Sequence, residues 1–84
     1  MNDDAQLYVL SALRSRKLID RYRASLKPEH FNEYCGIVYN YLIKYFDRYD
    51  VNFVSKRKLR LVIEEKGEEG KIIRDTVKAL PTVV

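Results

Sequence analysis

Between positions 34 and 49 the chain carries five of its 7 tyrosines, Tyr34, Tyr39, Tyr41, Tyr45 and Tyr49, interleaved with Ile37, Val38, Leu42, Ile43 and Phe46. Read as a helix, this run has one stripe, Cys35, Val38, Leu42, Tyr45 or Phe46, and Tyr49, that already suffices to pack on other helices. Tyr34, Ile37 and Tyr41 then form a second stripe. Such a helix is too apolar to hide against one small core, so it needs either neighbours on several sides or a partner. Tyrosine tolerates partial exposure and is enriched in protein interfaces, which makes Tyr34, Ile37 and Tyr41 the candidate self-association contact. The competing expectation is a five-helix globule that wraps its central helix completely.

A length of 84 residues supports one domain, residues 1–84, with a modest core and little room for a deep catalytic cleft. Hydrophobic content of 46% with 12% aromatic residues excludes a disordered chain. Lys and Arg number 16 against 12 Asp and Glu, and the resulting +4 permits contact with nucleic acid or an acidic protein face without requiring either. Cys35 has no cysteine partner and sits in the most apolar segment, where a reduced, buried thiol is expected. Asn2, Asp3 and Asp4 stand where an export signal has basic residues, and no apolar run approaches the roughly 18 residues of a membrane span. The expected location is cytoplasmic, in a bacterium or a phage-infected host.

Helical periodicity dominates, and no segment alternates like a half-buried strand. The expected fold is all-α, a compact orthogonal bundle of about five helices with one long central helix. Asp3 or Asp4 caps a first helix, with Leu7, Leu10 and Leu13 on one face, that runs to about Ser15. A second covers 17–25, with Leu18, Ile19 and Tyr22 inward and Arg16, Arg21 and Arg23 in water. Pro28 disfavours helix at Lys27 and opens a short turn from which Phe31 enters the core. Asn32 caps the long helix, which ends near Tyr49. Ser55 caps a fourth helix over 56–66, with Leu59, Val62 and Ile63 buried and Leu61 beside them, and Gly67 ends it in a left-handed turn. A fifth helix, from Glu68 or Glu69, carries Ile72, Ile73, Val77 and Leu80 until Pro81 stops it.

Chemistry-bearing groups are sparse. One His and one Cys cannot supply a four-ligand zinc site, and no carboxylate-dense loop offers a calcium cage. His30, beside a proline turn, reads as a surface or capping residue rather than a catalytic base. Gly67-Glu68-Glu69-Gly70 has the glycine spacing of a backbone-clamping loop, but its glutamates repel phosphate, and no Gly-x-x-x-x-Gly-Lys-Ser/Thr loop occurs. The residues present predict no enzyme and no cofactor. More informative is the cluster Lys56, Arg57, Lys58 and Arg60, whose charge opposes the dipole at the start of its helix. It is the candidate contact for an acidic partner or phosphate, against the plain alternative of a solvated charged face.

The order of these segments, QLYVLSAL, a short helix, LKPEHF, an aromatic-rich helix, a polar turn and KLRLVIEE, resembles the N-terminal helical domain of DnaB-type replicative hexameric helicases. The likeness is nearest to divergent phage versions and covers essentially the whole chain. Leu26, Pro28 and Phe31 match the family's Leu-x-Pro-x-x-Phe turn, and Val38, Tyr39, Leu42 and Ile43 fall at core positions of its long helix. Ser11 stands where bacterial members often have glycine, and the histidine usual early in the long helix is missing. In bacterial members this domain pairs as a helical hairpin dimer, forms a trimeric collar over the motor ring and receives primase, while the ATPase motor lies downstream. The resemblance therefore implies an isolated domain or a small free-standing relative. Its function would be that of a noncatalytic helicase module for self-association and docking of primase or another replication protein, with weak DNA contact and no membrane. The alternative expectation is a free-standing helical nucleic-acid-binding or adaptor protein that uses Lys56, Arg57, Lys58 and Arg60.

Overall fold

The computed structural model describes residues 2–82. Five α-helices and one 3-10 turn follow in order: α1 (Asp3–Ala12), α2 (Arg16–Tyr22), the turn Pro28–His30, α3 (Glu33–Arg48), α4 (Lys56–Leu61) and α5 (Gly67–Lys78). The fold is all-α. Among the described residues no helix is long and apolar enough to cross a membrane.

Sixteen residues make α3 about 24 Å long, the longest helix among the described residues. Asn32 starts it as the spacing predicts, its side-chain oxygen accepting from the Cys35 amide at 2.9 Å. Cys35, Val38, Tyr39, Leu42 and Phe46 are buried, and α1, α4, α5 and the 3-10 turn all pack against this helix. Of the two aromatic residues open for the inner stripe, Phe46 is the buried one, and Tyr45 is half-buried. Tyr39 goes deepest: its ring is fully enclosed, its centroid lies 5.1 Å from that of Phe31, and its hydroxyl donates to the Leu26 carbonyl at 2.8 Å. Phe31 is the plug that the Pro28 turn delivers. That turn approaches α3 so closely that a Cβ at Gly36 would lie 2.9 Å from the Pro28 carbonyl oxygen. Close approach, beyond the mild cost of glycine near a helix start, accounts for this residue.

Several helix ends differ from expectation. The first helix is capped by Asn2, which accepts from the Ala5 amide at 2.7 Å, and not by Asp3 or Asp4. It stops at Ala12 rather than near Ser15 because the backbone there turns to pair with a distant segment. The Val54 amide donates to Arg14 O and the Arg16 amide to Asn52 O, each at 2.9 Å, forming an isolated antiparallel bridge between Ser15 and Phe53. The second helix closes at Tyr22, which is exposed rather than inward. Arg16 is not simply solvated: its guanidinium donates to the carbonyls of Phe46 and Tyr49 at 2.9 and 2.7 Å and to that of Val51 at 2.7 Å.

The fourth helix ends at Leu61, five residues before the expected Lys66, and Leu61 faces solvent instead of lying beside Leu59. Residues 62–66 are pulled out of helical geometry from two sides. Arg74 donates to the carbonyls of Ile63 and Glu65 at 3.1 and 3.0 Å, while the Glu64 amide donates to the Tyr41 hydroxyl at 3.0 Å. Gly67 does adopt a left-handed conformation, φ 68°, but it opens α5 instead of closing α4. Gly70 allows α5 to start against this linker, since a Cβ there would fall 2.1 Å from the Glu65 carbonyl oxygen.

Candidate functional site

Tyr34, Ile37 and Tyr41 are half-buried and packed against the core. They lie along one face of α3, yet its two ends open into different surroundings. Tyr34 lines a groove with Asp3, Leu7, Glu33, Ile72 and Asp75, between α1 and α5. Tyr41 lines a second groove with Lys44, Tyr45, Arg48, Tyr49, Val62 and Glu64. Its hydroxyl is spent inside the molecule, accepting from the Glu64 amide and donating to the Glu65 carboxylate. Burial, then the bond to Glu65, pushes the Tyr41 hydroxyl above its usual pKa, and the same bond holds the Glu65 carboxyl below its own.

The second groove has the richer chemistry. Tyr45 and Tyr49 pack with ring centroids 4.7 Å apart, the Arg48 guanidinium sits 5.6 Å over the Tyr49 ring, and the Lys44 ammonium lies 5.7 Å from the Tyr41 centroid. Tyr49 is 40% exposed. Turn-by-turn spacing along α3 therefore lays tyrosines and cations alternately on one outer surface. The sequence already showed these tyrosines, but not that Lys44 and Arg48 share their surface. Their positions at i+3 and i+7 from Tyr41 were the available signal.

The cluster at the start of α4 is divided by the fold. Lys56 is committed to the end of α5, its ammonium donating to the carbonyls of Leu80 and Lys78 at 2.9 and 3.2 Å. Arg57 and Lys58 are exposed, and Arg60 instead lines a groove shared with Gly67, Lys71, Arg74, Asp75 and Lys78 of α5. Lys71 and Lys78 did not figure in the reading of the sequence, because their neighbour Arg60 is brought to them only by the α4 and α5 packing.

Remaining chemical candidates have structural positions. His30 is exposed, and its Nδ1 accepts from the Lys27 amide at 3.0 Å, closing the 3-10 turn. Cys35 is buried, and burial pushes its thiol pKa up. Among the described residues no group of three His, Cys, Asp or Glu side chains could hold a metal ion. Set beside known proteins, the chain matches no family model, no curated protein and no solved structure.

Proposed function

We propose that the chain is a noncatalytic docking module of the kind its resemblance to DnaB-type helicase N-terminal domains implies, which self-associates and receives primase or another replication protein. The observation that carries this reading is the groove of Tyr41, Lys44, Tyr45, Arg48 and Tyr49. Tyrosine and arginine are enriched among the residues that supply most binding energy at protein interfaces, tyrosine because it offers large area at small entropic cost and arginine because its planar fork hydrogen-bonds and stacks. Here they sit on a sixteen-residue helix whose opposite face is locked in the core, so the surface is preorganised. Tyr34 and Ile37 extend the same face toward the start of α3.

Multi-angle light scattering over a concentration series tests the self-association. The expected result is a mass that rises with concentration and returns to the monomer value in an Arg48→Glu/Tyr49→Ala variant with unchanged helix content. A strict monomer at the highest concentration, with calorimetry showing no heat of binding to the primase of the same replication system, would rule the docking role out.

A further inference from the structure

The groove between α4 and α5 is independent of the tyrosine surface, and its lining differs in kind. Arg60, Lys71, Arg74 and Lys78 face Asp75 as the single carboxylate among its described lining residues, with Gly67 completing the wall. Lys71, Arg74 and Lys78 recur at i, i+3 and i+7, so the two lysines stand about 10.5 Å apart along α5. Arg74 is anchored to the Ile63 and Glu65 carbonyls. Arg60, Lys71 and Lys78 make no ion pair among the described residues. Their charge is thus available to a ligand.

We propose that this groove binds the phosphodiester backbone of nucleic acid without regard to base sequence. Two features favour that ligand over an acidic protein. A protein interface is organised around aromatic or aliphatic anchors, and none of the residues lining this groove is either. Nucleic-acid interfaces, by contrast, are polar and strongly positive, and half or more of their hydrogen bonds go to phosphate and sugar. Among the described residues the groove also has no aromatic ring on which a base could stack and no side-chain amide to read a base edge, so the contact is to the backbone alone. Insertion of α5 into a duplex groove is disfavoured by Glu68 and Glu69 in its first turn.

The site does not depend on the docking role, and its test is separate. Fluorescence anisotropy with a labelled oligothymidylate and with a labelled duplex, titrated at increasing salt, should show weak binding that falls with a log–log slope of about −2 to −3, as expected for three neutralised phosphates. The preferred strand form then distinguishes the two sources of the same backbone. Lys71→Gln/Lys78→Gln should reduce that slope by about 2, whereas Arg57→Gln/Lys58→Gln, on the outer surface of α4, should leave it in place. All four positions are exposed, and circular dichroism checks that both variants keep their helix content. No binding to either oligonucleotide at low salt overturns the proposal. So does a slope lost in the Arg57/Lys58 variant and kept in the Lys71/Lys78 variant, or binding confined to polyglutamate or to phosphatidylglycerol vesicles.

Discussion

The Arg16 guanidinium donates to the Tyr49 carbonyl at 2.7 Å, so the first residue of α2 closes the end of α3 from 33 positions away. The same group reaches the carbonyls of Phe46 and Val51, and its guanidinium carbon lies 5.2 Å from the Phe46 ring centroid. Positive charge at a helix C-terminus is favourable, and a planar fork satisfies several carbonyls that a helix end leaves unpaired.

Arg16→Ala should therefore lower unfolding stability by about 2–4 kcal/mol, the cost of charged hydrogen bonds left without their donor. Arg16→Lys should recover less than half of it, because an ammonium on a single stem cannot address carbonyls on both sides. Urea denaturation followed by circular dichroism checks both, and equal stability of wild type and Arg16→Ala would refute the bracing role.

Glycine positions should rank by what lies in front of them. Gly36→Ala improves helix propensity by about 1 kcal/mol but pushes a methyl onto the Pro28 backbone, so a net loss of about 1–2 kcal/mol is expected. Gly70→Ala meets the Glu65 carbonyl at a distance no repacking tolerates and should be the more damaging substitution. Gly67→Ala has open space and loses only the cost of a left-handed alanine, about 1–2 kcal/mol. Thermal melts of the three variants decide the order.

The Tyr41 and Glu65 pair predicts a pH signature on both sides of neutrality. Glu65 titrates below its unfolded value, so its contribution is complete above the ordinary carboxylate range and is lost as pH falls below that range. Tyr41 titrates above its unfolded value, so its contribution is present below about pH 10 and is lost as pH rises further. The Tm gap between wild type and Tyr41→Phe should be widest near neutral pH and shrink toward acid. The exposed Arg23 and Asp47 pair, joined at 2.7 Å, adds an acid-side loss of its own that is common to both proteins. A gap that does not change with pH would exclude the pair as the source.

Cys35 should resist thiol reagents in the native protein. Burial both hides the sulfur and disfavours the thiolate that reacts. Labelling by a chromogenic disulfide should be slow in buffer and rapid, with one thiol per chain, in denaturant. Fast native labelling would place the cysteine outside the core.

Elements governed by neighbours in sequence were legible without the fold. The apolar stripe through Val38 and Leu42, the Asn32 and Ser55 caps and the Pro28 break all follow from short-range rules, because periodicity and capping act over three or four residues. By contrast, α5 ends at Lys78 and leaves Leu80 outside the helix, ahead of the expected stop at Pro81. Besides the α1 cap, which is Asn2, and the end of α2 at Tyr22, what failed were the ends of α1 and α4. Ser15 opposes Phe53, and residues 62–66 are drawn out by Arg74 and Tyr41, in both cases by contacts whose worth cannot be read from the local segment.

The surface divides the same way. Composition and spacing alone determined an all-α chain around a tyrosine-rich helix with a basic stretch after Ser55. Only the packing decided that the Tyr41 hydroxyl is used internally, that Lys56 is committed to the end of α5, and that Arg60 shares a groove with Lys71 and Lys78. A side chain's free charge or free hydroxyl is what remains after unpaired backbone carbonyls and amides have been satisfied. Which of those groups lie within reach is set by tertiary proximity, not by order along the chain.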